Sequence, residues 1–455
     1  MIKINNIVVT ALLATSLSGC GLYTKFEHTP DPEIVDNLYD YTQEAASSTS
    51  SIASKSWREL FTDPKLQALI EQGLESNTDL NVAKLNIEQA EITLRTARLA
   101  YLPSLGFNAS ANTSNASSES TYSLSVAASW EIDIFGKIKN GKEQQKAILE
   151  QTQAYSQAVQ TELVATIANS YYSLLLLDEQ IKISNLSLEA WQANVRSMEA
   201  LNRAGQVNVT SVLQAKANRE SLQTSIVTLE QQVAELENTL SILLASAPHH
   251  IDRGSLSDAK FNTELAVGLP LELVANRPDV RVAEYTLAQA YYATNIARAS
   301  LYPSLTLGGT AAYSNSFGAV SNPSEVIYSA VAAIVQPIFY QGTLRAQVQI
   351  SKSQQEQALL NFNQALLDAG AEVNTALISW QSAIKRSGHY DEQINLLTEA
   401  LRSSELLMKH GSVNYLEVLT AQQTLLQAEL SQSSNKYDEI QSVINLYRAL
   451  GGGQN

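Results

Sequence analysis

The chain has 455 residues and a formal net charge of −15. That charge excludes binding along a nucleic-acid backbone, which needs a basic face, and it suits an anionic lipid surface poorly. The single cysteine, Cys20, excludes a disulfide framework within one chain, and His249 and His250, the only adjacent histidines, follow Pro248 in what reads as a solvated loop rather than a metal site.

Residues 1–19 read as an export signal. Lys3 precedes a mostly apolar run from Ile7 to Leu17, too short to span a bilayer as a helix. The signal closes on Leu17-Ser18-Gly19-Cys20, which resembles a bacterial lipobox. In proteins that carry one, the preceding segment is removed and the cysteine takes a covalent lipid, so Cys20 is the lipidation candidate. Apart from that lipid, no cofactor or metal is expected. Gly21, in place of an aspartate, resembles lipoproteins directed to the outer membrane. A lipid anchors a protein without spanning the bilayer, so any crossing must come from elsewhere. Residues 20–56 form the anchor and a tether, Ser-rich from Ala45 to Ser54.

From residue 57 the chain is written twice, as 57–255 and 256–455. Asn77-Thr78-Asp79-Leu80 aligns with Arg277-Pro278-Asp279-Val280, and Pro103-Ser104-Leu105 with Pro303-Ser304-Leu305. Gly205, Val207, Val212-Leu213 and Ala215 align with Gly411, Val413, Val418-Leu419 and Ala421. The period of about 200 residues is far too long for a solenoid unit. It predicts two similar halves intertwined in one body.

Each half shows the same order of elements. A helix, near 64–101 and 270–301, ends before Pro103 or Pro303, because proline disfavours helix at the residue preceding it. Two strand-like runs follow. Between residues 121 and 135, Tyr122, Leu124, Val126, Ala128, Trp130, Ile132 and Ile134 fall on one face and polar residues on the other. Leu105, Phe107, Ala109 and Ala111 alternate more weakly. Leu305, Leu307, Gly309, Ala311 and Tyr313 repeat the pattern, which alanines blur in the run from Ile327 to Phe339. A long strand with one apolar face is what a transmembrane barrel with a wet lumen needs. Four strands cannot close a barrel, which takes about eight, and an open edge cannot face lipid. Strands that cross a membrane here must therefore be shared among several chains.

Two long helices come next, near 137–203 and 343–409. At about 1.5 Å per residue each would span roughly 100 Å. Gly205 and Gly411 then allow tight turns into further helices reaching about residues 246 and 450. Leu222, Ile226, Leu229, Val233, Leu236, Leu240 and Leu243 form a coiled-coil seam, as do Leu416, Leu419, Leu426, Leu430, Tyr437, Ile440, Ile444 and Tyr447. Each half is thus a long helical hairpin with its turn at the tip away from the strands.

Together these features resemble the TolC-like outer-membrane efflux proteins, in particular their lipid-anchored drug-efflux branch. The resemblance rests on residues 57–66 (Trp-Arg-Glu-Leu-Phe-Thr-Asp-Pro-Lys-Leu), on Asn276-Arg277-Pro278-Asp279-Val280-Arg281, on Gln336-Pro337-Ile338-Phe339, and on residues 411–419 and 446–453. It implies an α+β membrane protein: a trimeric twelve-stranded β-barrel, four strands per chain, continued by a long α-helical coiled-coil barrel. It implies an exit duct in the outer membrane with a periplasmic extension, passively conducting small molecules. The implied partners are a homotrimer, a periplasmic adaptor and an inner-membrane transporter, with outer-membrane lipid around the barrel. No phosphate-binding glycine loop, zinc-protease motif or nucleophile elbow is present, so no catalysis is expected. Other readings are a lipid-tethered coiled-coil scaffold without a pore and a type I protein-secretion duct. The three methionines, Met1, Met198 and Met408, disfavour a copper-specific site.

In that family the tunnel narrows at the hairpin turns, where an acidic residue often precedes an Ala-Gln pair. Here Thr420 precedes Ala421-Gln422 and Gln214 precedes Ala215, so both repeats depart from that pattern and the sequence leaves open whether the gate uses an acidic ring. Leu416 and Thr420, one helical turn apart, are the leading constriction candidates, with Tyr415 and Glu417 behind them. Arg203 and Asn208 are candidates for hydrogen bonds that hold the tip closed.

Overall fold

A computed structural model describes residue 26 and residues 56–114, 117–259, 277–316, 326–409 and 415–452. Cys20, most of the tether and Gly411 lie outside the described residues. After a single turn, α1 (Trp57–Leu60), come α2 (Pro64–Ser76) and α3 (Thr78–Leu99), then β1 (Ser104–Ser114) and β2 (Ser117–Ile132). Helix α4 (Lys137–Arg203) turns into α5 (Val209–Leu243), and a 3-10 turn lies at Leu256–Asp258. The second half holds α6 (Pro278–Ala299), β3 (Ser304–Ser316), β4 (Val326–Val335), α7 (Thr343–Lys409) and α8 (Tyr415–Ala449).

The sequence repeat is a repeat of structure. Helices α3 and α6 both have 22 residues, α4 and α7 both 67, and α5 and α8 both 35. Their starts, 78 and 278, 137 and 343, 209 and 415, carry the same small drift as the aligned motifs.

The expected helix at 64–101 is two helices. Asn77 divides them: its backbone N–H bonds the Gly73 carbonyl at the end of α2, its Oδ1 accepts from the Leu80 N–H at the start of α3 at 3.0 Å, and its Nδ2 donates to the Leu243 carbonyl of α5 at 3.0 Å. Asp63 caps the start of α2, accepting from the Lys65 N–H at 2.9 Å ahead of Pro64 at the first helical position. The helix expected at 270–301 is described from Pro278, residues 270–276 lying outside the described set. Strand β2 stops at Ile132 although the alternation runs on. The Asp133 carboxylate instead caps α4, accepting from the Ile138 and Lys139 N–H groups at 3.1 and 2.7 Å. Strand β4 likewise ends at Val335, two residues before Pro337, which has no N–H for a ladder.

The chain divides into two compact units, each drawing on both repeats. The first takes in Lys84–Tyr155 and Asp279–Ala365; the second takes in Ser156–Pro278 and the residues from Leu366, with the segment up to Ala83. In the first unit the strands form one antiparallel sheet in the order β1-β2-β3-β4. Helix contacts follow the strand order. Asn295 on α6 donates to Asn140 on α4 at 3.2 Å, and Thr294 on α6 donates to the Ser351 carbonyl on α7 at 3.1 Å.

In the second unit α2 lies so close to α4 that a Cβ at Gly73 would run into Ile167 Cδ1. Phe61 meets Tyr447 edge-on with ring centroids 6.3 Å apart. Arg277 is buried and donates to the Ala449 carbonyl at 2.8 Å and to Glu372 at 2.9 Å, so it finishes the C-terminal turn of α8.

Candidate functional site

Two regions bear on function, one in each unit. The first is the sheet. Residues paired across antiparallel strands project to the same side. The pairs Phe107–Val126, Leu124–Tyr313, Trp130–Leu307, Leu305–Ile334 and Ala311–Tyr328 therefore place one continuous apolar face across all four strands. Several of its larger side chains stand exposed: Leu105 is 76% exposed, Phe107 68% and Tyr328 80%. The opposite face of β1 to β3 carries Asn108, Ser110, Ser123, Ser125, Ser129, Thr306 and Thr310. Strand β4 departs from the pattern, because Ile327, Val331 and Val335 stand on this otherwise polar face.

Aromatic side chains gather where the strands meet the helices. The Trp130 indole N–H donates to the Tyr101 carbonyl at 2.9 Å, and Phe135 stacks on Tyr302 at 4.9 Å. Amphipathic rings of this kind suit a membrane–water boundary. Among the described residues no helix is long and apolar enough to cross a membrane.

The second region is the helical tip. Gly205 has φ +72°, and its N–H bonds the Asn202 carbonyl at 2.9 Å while Gln206 N–H bonds the Leu201 carbonyl at 2.9 Å. Asn202 Nδ2 crosses the turn to the Val207 carbonyl at 2.8 Å. Asn208 is the N-cap of α5, accepting from the Ser211 N–H at 3.1 Å, so its carbonyl oxygen already has a local partner. Arg203 is exposed at the end of α4.

Below the turn, Val195 and Met198 of α4, Val212 and Ala215 of α5, and Tyr415 and Leu419 of α8 form a buried cluster. Tyr415 is only 7% exposed, so it packs inside this cluster instead of lining a constriction; burial pushes its phenol above the usual range. Leu416, by contrast, is 61% exposed, and Glu417 and Thr420 are exposed with it. The Thr420 hydroxyl donates back to the Leu416 carbonyl at 2.8 Å, which occupies its proton locally. The seam expected to begin at Leu416 therefore begins at Leu419. Between α4 and α8, Asn194 Nδ2 donates to Gln422 Oε1 at 2.7 Å. Between α4 and α5, Glu199 and Lys216 pair at 2.8 Å; that hydrogen bond holds the Glu199 carboxyl below its ordinary range.

Sequence reasoning missed a polar anchor in the second unit. The Arg253 guanidinium, 9% exposed, takes Asp178 with Nε at 2.5 Å and Nη2 at 3.0 Å, and Glu237 with Nη1 at 2.5 Å. His250 Nδ1 stands 2.8 Å from the same Glu237 oxygen while remaining largely exposed, in keeping with its reading as a solvated loop residue. Burial raises the affinity of the Glu237 carboxyl for its proton, but the hydrogen bonds from Arg253 and from the Ile251 N–H outweigh it and hold the group below its ordinary value. Nearby, the Tyr171 hydroxyl donates to Asp63 at 2.5 Å and accepts from the Gly254 N–H at 3.0 Å; burial first, then the Asp63 bond, pushes the phenol up. Lys65 pairs with Asp252 at 2.8 Å. The segment 251–254 is thereby tied to α2, α4 and α5. The Pro64 and Arg253 spacing offered no local signal for this.

A protein known as the cation efflux system protein CusC of Escherichia coli is 28% identical over 449 residues, covering 97% of each chain. The pyoverdine export outer membrane protein OpmQ of Pseudomonas putida is 28% identical over 90% of each chain. The crystal structure of the open state of the Neisseria gonorrhoeae MtrE outer membrane channel superposes with a TM-score of 0.83 at 27% identity, covering 96% of this chain and 99% of that one. The fold is thus that of these channels, with four strands per chain drawn from two repeats and continued into long helices. The family profile described as outer membrane efflux protein matches residues 69–246 and 269–452, one match per repeat. The chain belongs to the outer membrane efflux protein family and is an outer-membrane efflux channel.

Proposed function

We propose that three copies of this chain close a twelve-stranded barrel and act as the passive exit duct of a tripartite pump, served by a periplasmic adaptor and an inner-membrane transporter. The observation that carries this reading is the open sheet. Much of its apolar face is exposed, including Leu105, Phe107, Val126, Tyr328 and Ile334, and β1 and β4 are both edges. In lipid those edges would leave backbone groups without partners. With four antiparallel strands per chain, β4 of one copy and β1 of the next run antiparallel, so identical copies continue the ladder and three of them pass the minimum for closure. Cys20 carries the lipid in this reading and holds each chain at the bilayer. Leu416 and Thr420 narrow the tip.

The relatives above are named for cation efflux in one case and pyoverdine export in another, so the duct itself is read as permissive to small molecules. Single-channel recording in planar bilayers tests the proposal. Discrete pores from an assembly of three chains are expected. A protein that forms no pores, even with Leu416→Ala, would instead be a tethered scaffold. Cys20→Ser should abolish labelling by a radioactive fatty acid; labelling that persists would remove Cys20 from the anchor.

A further inference from the structure

Among the described residues, the first unit has two edge strands and two helices with an exposed apolar side. Helix α6 bonds α4 on one side and α7 on the other, and most of its residues are buried or half-buried. The helices α4, α6 and α7 thus stand in the order of the strands they adjoin, β2, β3 and β4. Helix α3 leads into β1, which leaves α3 and α7 as the edge helices.

On α3, Ala90 and Leu94 are buried, and half-buried Ile87 and Ala97 share their stripe. The opposite side carries Leu85, Gln89, Ile92, Thr96 and Leu99, spaced four and three apart, all exposed. Leu85, Ile92 and Leu99 are 52% to 56% exposed. This is a second coiled-coil seam, and nothing among the described residues covers it. On α7, Ser351, Ala358 and Phe362 face inward, while Ile350, Ser353, Gln357 and Leu360 form a matching exposed stripe.

The internal repeat says what covers both. The contact of α4 with α6 joins repeat one to repeat two. Its centre is Gln151, which donates to Thr286 at 2.8 Å and accepts from Gln289 at 2.7 Å. Carried through the offsets between equivalent helices, Gln151 becomes Gln357 on α7 and Gln289 becomes Gln89 on α3. Both are again glutamine, both are exposed, and each lies in the middle of an open seam. Among the described residues α6 is already placed between α4 and α7, so the equivalent contact on the open side of α7 falls to α3 of a second copy.

We infer that α3 of one copy packs antiparallel on α7 of the next, with Leu85, Ile92 and Leu99 against Ile350 and Leu360, and with Gln89 hydrogen-bonded to Gln357 across the interface. The seam continues the β1–β4 strand junction into the helices. It rests on the proposed assembly and goes beyond it by assigning the helical contact and its register.

Disulfide trapping in the full-length protein tests the register. Gln89→Cys with Gln357→Cys should, on mild oxidation of the detergent-solubilised protein, convert monomer on denaturing gels into covalent dimer and closed trimer. Either single variant, and Glu91→Cys with Gln357→Cys, should stay monomeric on the same gel, because Glu91 lies on the flank of α3 away from the seam. An assembly that is trimeric by mass yet gives no cross-link at 89 and 357, or cross-links equally through Glu91→Cys, overturns the seam while leaving the trimer standing. A particle that is monomeric by mass overturns the seam and the trimer together.

Discussion

Asn194 on α4 donates to Gln422 on α8 across 2.7 Å, and Gln422 is 7% exposed. This places a buried polar bond between the first helical hairpin and the second, next to the apolar cluster of the tip. A buried amide that loses its partner costs about 1–3 kcal/mol, whereas removing both partners costs less. Gln422→Ala and Asn194→Ala should each lower the thermal midpoint, and the double variant should lose clearly less than their sum. A double-mutant cycle with no coupling would show that the bond adds nothing to the packing around it.

The neighbours Tyr415, Leu416 and Leu419 separate packing from lining. Leu419→Ala empties a site that is 4% exposed and should cost about 2–5 kcal/mol. Leu416→Ala, at 61% exposure, should change stability by less than about 1 kcal/mol. It should nonetheless raise single-channel conductance, as should Thr420→Ala. Unchanged conductance in both variants would remove these residues from the constriction.

Arg253 neutralises Glu237 and Asp178 in a mostly buried cluster. Arg253→Met removes the ion pair from Asp178 and leaves Glu237 only His250 and the Ile251 N–H, and should destabilise the protein by about 3 kcal/mol, the lower part of the range for broken buried pairs, since Asp178 keeps some solvent. The pH dependence has a definite sign. Glu237 faces Arg253 and His250, and its folded pKa is depressed. Its contribution is therefore complete above the unfolded carboxylate value and is lost as pH falls through the lower folded value. Thermal midpoints measured from neutral to acid pH should fall more steeply for the parent protein than for Glu237→Gln.

Gly205 is required by its backbone, not by crowding. Its φ is +72°, and a Cβ there would meet nothing within 4 Å. Gly205→Ala should cost about 1–2 kcal/mol, the penalty for an L-residue in the left-handed region. Gly205→Asn should recover part of it, because asparagine tolerates that conformation. Equal melting of all three proteins would show that the turn can relax.

The two sheet faces should respond differently to charge. Val126→Lys on the apolar face should disfavour insertion by about 2–4 kcal/mol if the residue sits near the bilayer midplane. Ser125→Lys on the opposite face should assemble normally and alter ion selectivity. Yield of the assembled oligomer in outer-membrane fractions distinguishes the pair. Equal loss in both would argue against a lipid-facing surface.

Periodicity made much of this fold legible in the sequence. The bounds of α4 and α7 agree with the expected 137–203 and 343–409, and the seam from Leu222 to Leu243 is buried or half-buried throughout. These features follow from residues near one another in the chain, because the spacing of apolar side chains reports which face of a helix or strand is covered. The tip residues were legible only as a group. Tyr415 and Leu416 are adjacent and both apolar enough to pack, and spacing alone did not tell which would turn inward.

What the sequence by itself determined is the duplication, the alternating strands, the long hairpins and the need for more than one chain. Tertiary structure decided the rest. Asn77 breaks a continuous helical pattern because the Leu243 carbonyl, 166 residues away, is there to receive its amide. Arg253 becomes an anchor because Asp178 lies 75 residues off, on helix α4. Gln89 and Gln357 acquired meaning only once Gln151 and Gln289 were seen in contact. In each case the deciding partner is remote in sequence, and a polar side chain reveals its role only when the fold supplies the group that satisfies it.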